Sequence, residues 1–132
     1  MTKAAAIQTK AAAIHSFWSS FGLNAFEENA VPTGDDSPSF PYITYRLVTD
    51  GFGGQTAMSA SVWYRSDSWV QANVKAEEIS RNIGYGGKTI PCDGGVIWIK
   101  RGSPFSQSMG DETDARIKRK YITITAEYLT VG

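Results

Sequence analysis

The chain contains one histidine, His15, and one cysteine, Cys92. A thiol and an imidazole are the minimum for covalent catalysis by an activated nucleophile. Nothing in their spacing joins them. His15 follows Ile14 in an alanine-rich, helix-forming stretch, and Cys92 stands just before Asp93-Gly94, at a hairpin tip. Neither has the second histidine or cysteine that a tetrahedral zinc site requires. Asp35-Asp36 and Asp111-Glu112-Thr113-Asp114 offer oxygen ligands for a hard cation, but without the spacing of an EF-hand loop. They read as solvated loops. Gly51-Phe52-Gly53-Gly54 and Gly84-Tyr85-Gly86-Gly87 match no phosphate-binding or dinucleotide fingerprint, and turns account for them. The expectation is a non-catalytic protein with no metal and no cofactor.

Two features exceed this background. Trp63, Trp98, Tyr121 and Tyr42 fall on strand faces otherwise composed of Ser, Thr, Arg and Lys, with Arg65 beside Trp63. Aromatics and arginine in a polar field are the composition of an interface core. A second core under loops, or a glycan-stacking face, has the same composition. The second feature is a charge dipole. Asp111, Glu112 and Asp114 are followed by Arg116, Lys118, Arg119 and Lys120. A solvated hairpin carries such a pattern, and so does a loop that complements the opposite charge on a neighbouring subunit.

These residues need elements to position them. Ile7, Ala11, Ile14, Trp18 and Phe21 predict an amphipathic helix from Lys3 to Phe21, closed by Gly22, with Thr2–Ile7 repeated at Thr9–Ile14. Residues 29–41 are rich in Pro, Gly, Asp and Ser and read as a loop. Tyr42 to Thr49 and Gln55 to Arg65 alternate as the arms of a hairpin around residues 50–54, with Met58, Ala60, Val62 and Tyr64 inward. A second helix starts near Ser68, with a Ser68/Gln71 capping box and an apolar stripe of Trp69, Ala72, Ala76, Ile79 and Ile83. Thr89 to Cys92, with Pro91 marking an edge, pairs across Asp93-Gly94 with Gly95 to Arg101. Residues 102–117 read as a loop, and Lys118 to Leu129 as a last strand with Ile122, Ile124, Ala126 and Tyr128 inward. The order α-β-β-α-β-β-β predicts an α+β domain over residues 1–132: a mostly antiparallel β-sheet with two main helices packed on one face.

Composition agrees with one globular domain. Of the 132 residues 42% are hydrophobic and 20% charged. Thirteen basic residues balance thirteen acidic ones, which argues against a sequence-independent grip on nucleic acid. No apolar run approaches the ~20 residues of a membrane span. One cysteine permits no intrachain disulfide and suits a reducing cytoplasm.

Phe40-Pro41-Tyr42-Ile43-Thr44-Tyr45 opens a strand, and Ser61-Val62-Trp63-Tyr64-Arg65-Ser66 closes the hairpin and leads directly into a helix. Arg101-Gly102-Ser103-Pro104-Phe105-Ser106-Gln107, an acidic loop, and Ile117 to Ile124 with Glu127-Tyr128 follow. This order of elements, over about residues 40–129, resembles the tail terminator (tail completion) proteins of long-tailed bacteriophages and prophages. The resemblance implies an antiparallel sheet flanked by helices, with no catalysis and no cofactor. It implies subunits that close a six-fold homohexamer ring on the last ring of the tail tube, stop its polymerisation and offer a head-joining surface. The implied partners are the chain itself, the tail-tube protein and the head connector or neck protein, with DNA passing through the ring. The implied location is the head-proximal end of the virion tail, after assembly in the host cytoplasm. Trp63, Arg65, Trp98, Tyr121, Asp111, Glu112, Arg116, Lys118 and Arg119 are the residues expected at subunit or partner interfaces. A head–tail connector or neck protein, and a monomeric ligand-binding module such as a glycan binder, fit the same pattern.

Overall fold

The computed structural model describes residues 8–132. Ile7 and the first copy of the Thr-Lys-Ala-Ala-Ala-Ile repeat lie outside the described residues, as does the expected start of the first helix at Lys3. The observed elements are α1 (Lys10–Ser19), β1 (Asn24–Glu27), a short 3-10 turn (Gly34–Asp36), β2 (Tyr42–Tyr45), β3 (Gln55–Arg65), α2 (Val70–Ile83), β4 (Lys88–Cys92), β5 (Gly95–Gly110) and β6 (Ile117–Thr130). The six strands form one sheet in the order β1-β2-β3-β6-β5-β4, antiparallel throughout except for the parallel pair β1–β2. The fold is α+β, with a mostly antiparallel sheet and two helices, as expected.

The start of α1 follows from side-chain capping. Thr9 Oγ1 accepts the Ala12 N–H at 3.1 Å and satisfies one of the free donors at the start of α1. The face that α1 buries is Ala13, Ile14, Phe17 and Trp18, whereas Ala11, expected on it, is exposed. Alanine is indifferent to either side, so the three aromatic residues set the rotation. Phe17, Trp18 and Phe21 contact one another, and Trp18 lies parallel to the Tyr45 ring at 6.5 Å. At α2 the expected capping box does not form. Ser68 Oγ instead accepts the Val70 N–H at 3.1 Å, and Asp67 pairs with Arg116. Ala72, Ala76, Ile79 and Ile83 are buried as the stripe requires, while Trp69 is only half-buried under Lys118.

Period-two alternation places Met58, Ala60 and Val62 of β3, Ile97 and Ile99 of β5, and Ile122, Ile124, Ala126 and Tyr128 of β6 on the inner face, all nearly inaccessible. The apolar faces of α1 and α2 share one core with them. Among the described residues, neither helix packs on the other face of the sheet.

Three expectations are corrected. β2 stops at Tyr45 rather than Thr49, because residues 52–54 turn onto the end of β6: the Phe52 and Gly53 N–H groups donate to Thr130 and Tyr128 carbonyls, and Tyr128 N–H donates to Gly54. Segment 102–117 is not a loop. β5 continues to Gly110 after a register irregularity between Arg101 and Ser106, leaving only a short turn before Ile117. Gly102 sits there because a Cβ would stand 2.8 Å from the Thr123 carbonyl oxygen. Finally, β1 falls in a stretch with no strand expectation. Only Ala25 of its four residues is buried, so it has no alternation to read.

Tyr128 ties the sheet to the 46–54 connection. It is inaccessible, its hydroxyl donates to the Val48 carbonyl, and burial first, then nearby Cys92 and Asp50, push its pKa up to about 12. An unfolded tyrosine titrates near 10. The folded state therefore holds the phenolic proton more tightly. The stabilisation is complete below pH ~10 and is lost as pH rises from there towards 12. Wild-type urea midpoints measured across this window fall steadily, and Tyr128→Phe flattens the fall. In the core, Ile124→Ala costs about 2–5 kcal/mol of unfolding free energy, read from the same denaturation curves.

Candidate functional site

The ladder registers assemble a site on the open face of the sheet. Tyr42 is opposite Trp63, Trp63 opposite Arg119, and Tyr121 opposite Gln107. Directly opposed residues share a face. Phe26, Tyr42, Trp63, Arg119, Tyr121, Gln107 and Met109 thus run across the sheet from β1 to β5.

Each of these side chains is held in place. Trp63 stacks on Tyr42 with centroids 6.2 Å apart and planes at 18°, and its indole N–H donates to Thr44 Oγ1 at 2.9 Å. Phe40 and Phe26 contact the same Tyr42 ring at 5.3 and 6.4 Å. Partial burial raises the Tyr42 pKa. The Arg119 guanidinium lies 4.9 Å from the Trp63 centroid and 5.4 Å from that of Tyr121. Its Nε–H donates at 2.8 Å to Oγ of Ser61, which is itself buried. Glu28 and Val31 reach over from the connection after β1 and, with Tyr42, Trp63, Arg119 and Tyr121, line a depression of about 270 Å³. None of Tyr42, Trp63, Arg119 and Tyr121 is buried. The face is a partly shielded aromatic–arginine cluster rather than a closed second core.

The other expected site residues disperse. Trp98 is on the same face but level with Glu127, away from the cluster. Its indole N–H donates to the Gly86 carbonyl at 3.0 Å, and Lys100 Nζ lies 4.2 Å from its ring centroid. Lys100 also pairs with Glu127 at 3.6 Å. Gly87 permits this close seat, since a Cβ there would stand 2.5 Å from the indole nitrogen. The dipolar segment folds largely onto the chain itself. Arg65 pairs with Asp114 at 3.2 Å and Arg116 with Asp67 at 3.4 Å. Asp111 Oδ1 accepts the Thr113 hydroxyl and N–H and the Asp114 N–H, which lowers its pKa and shapes the turn. Lys118 points to the helix side, where it donates to the Ala115 carbonyl and covers Trp69. Glu112 is exposed. Only Arg119 of these charges joins the aromatic cluster.

Sequence reasoning missed Glu28 and Val31, which reach the site through the unreadable β1, and Ser61, whose role depends on the register opposite Arg119. His15 is engaged at both ring nitrogens, with Tyr45 Oη at 3.0 Å and Ser19 Oγ at 3.3 Å. Cys92 is buried, burial raises its pKa, and its thiol donates to the Asp93 carbonyl at 3.6 Å. Among the described residues, no group of three His, Cys, Asp or Glu side chains is placed to hold a metal, and no helix is long and apolar enough to cross a membrane. No protein-family model matches the chain, and no curated protein matches it.

Arg119→Ala removes a hydrogen bond and two cation–π contacts. The expected loss is about 1–2 kcal/mol of unfolding free energy. Arg119→Lys recovers less than half of it, since an ammonium cannot stack as a plane. Urea denaturation of the three proteins measures both.

Proposed function

We propose that this chain is a structural ring-forming subunit of the tail terminator type, which caps a phage tail tube and presents a head-joining surface, and that it performs no catalysis. The observation that carries the reading is the uncovered sheet face with its clamped Tyr42–Trp63–Arg119–Tyr121 cluster. Aromatics and arginine in partly desolvated positions are the residues that dominate binding energy at protein interfaces. A ring of identical subunits also needs two different complementary patches on each copy. Two features supply them: the aromatic face, and the turn at 111–116 at the far end of the long β5–β6 hairpin. The order of elements over about residues 40–129, which resembles that of tail terminators, supports the same reading, with β5 and β6 longer than expected and β1 outside that range.

The test is assembly. Light scattering after size exclusion, with negative-stain imaging, gives a ring of about six subunits, and adding tail-tube protein gives tubes of limited length capped at one end. Trp63→Ala weakens ring formation at least tenfold, in line with a hot-spot loss of about 2 kcal/mol, while circular dichroism stays that of the wild type. A chain that stays monomeric with tube protein and binds polysaccharide directly is a glycan module instead. A ring that joins portal-side proteins and ignores the tube is a neck protein.

A further inference from the structure

The two ends of the sheet are unlike, and both are open. At one end, β1 pairs, among the described residues, with β2 alone. With His15 and Ser19 of α1, its residues Asn24, Ala25 and Phe26 line a groove of about 510 Å³. At the other end, β4 covers β5 only from Gly95 to Ile99. Beyond the irregularity, Ser106 to Gly110 pair with β6 on one side and, among the described residues, with no strand on the other. Sheet edges expose rows of N–H and C=O groups, and monomeric proteins blunt them with charge, proline or a cover. Phe105-Ser106-Gln107-Ser108-Met109-Gly110 has no charge and no proline. Gln107, Ser108 and Gly110 are exposed.

We infer that the distal part of β5, Phe105 to Gly110, adds as a strand to the β1 edge of a second copy of this chain, beside α1, so that sheets continue from subunit to subunit. The inference rests on the self-assembly reading above and names its contact. The occupant is another copy because one chain carries both halves at opposite ends of one sheet. Joining unlike edges gives a heterologous contact, which closes into a ring when the rotation per step allows it. Side-chain placement agrees. Two neighbouring open-face rows cross the sheet, Asn24-Tyr42-Trp63-Arg119-Met109 and Phe26-Thr44-Ser61-Tyr121-Gln107, so each runs from β1 to the distal part of β5. Docking the two edges brings Gln107 and Met109 of one copy onto the same face as Asn24 and Phe26 of the next, with the Met109 thioether within reach of the Phe26 ring, and extends the Tyr42–Trp63–Arg119–Tyr121 cluster across the junction. Main-chain hydrogen bonds supply the affinity, and the alternating side chains choose the partner.

Cysteine pairs test it. Asn24→Cys is combined in turn with Gln107→Cys and with Met109→Cys, positions on one face of the sheet. A disulfide requires Cα atoms within about 7 Å. Under mild oxidant, at least one double variant yields a ladder of covalent multimers that ends at the ring size, and no single variant does. A ring seen by light scattering with no ladder overturns the inference and leaves the proposed function standing. Covalent dimers from Gln107→Cys alone overturn it in favour of like edges meeting. A monomer with no ladder also overturns it. A ladder from rings that do not cap tail tubes upholds the inference and removes the proposed function. Gln107→Lys, at an exposed position, places a charge on the edge. It weakens assembly at least tenfold with an unchanged melting temperature, and unaltered assembly overturns the inference.

Discussion

Everything in this molecule depends on the pairing of β3 with β6, which runs along all of β3 from Gln55 opposite Glu127 to Arg65 opposite Ile117. Side chains alternate with a period of two, so a slip of one residue in one strand would exchange its faces. Ile122 and Ile124 would meet water, and Arg119 would enter the core. The register is held from both sides. On the inner face Met58, Val62, Ile122 and Ile124 are nearly inaccessible. On the outer face Ser61 receives Arg119, and Gln55 donates to Glu127 at 2.6 Å. Apolar burial supplies the free energy, and these polar pairs match only one alignment.

From that ladder the two faces diverge. The inner face is covered by α1 and α2, whose alanines at 13, 72 and 76 let the helices approach closely. The outer face keeps polar residues at 59, 123 and 125, with the aromatic row crossing it near one end. The fold thus confines large partly exposed rings to one region, where they support one another. The proposed docking role uses that region without asking anything of the core. Charges follow the same economy. Most of the dipolar hairpin is consumed in its own turn, leaving Arg119 as the cation built into the aromatic row.

The sequence made the strongly alternating and strongly amphipathic parts legible. Met58–Val62, Ile122–Tyr128 and the α2 stripe each repeat an apolar residue at one period, and each is buried as that period requires. The second strand and the long hairpin were less legible. Tyr42–Thr49 alternates to its end, yet Tyr128 and Thr130 draw residues 52–54 onto β6, a contact between segments far apart in the chain. In β5, residues 103–110 are mostly Ser, Gln, Gly and Pro, with no alternating apolar run, because their strand is an edge with little to bury, and that composition also describes a loop. Of the expected site, Trp63, Arg119 and Tyr121 came together because their strands are neighbours. Trp98 did not, since its place along β5 is decided by the hairpin with β4. Arg65, Arg116 and Asp111 are instead engaged at the surface by local partners that only the folded turn provides.

The clamping of Arg119 has a consequence for rates and entropy. Arginine in solution samples many rotamers, and freezing such a side chain on association costs about 0.5–1.5 kcal/mol. Here the guanidinium is already immobilised between two rings and tethered to Ser61. Trp63 is likewise fixed by Tyr42 and Thr44. That ordering cost is met once, during folding, and is not charged again at each encounter. A surface preorganised in this way discriminates by shape: a partner that matches gains its full contact energy, and one that does not cannot be accommodated by rearranging the anchors.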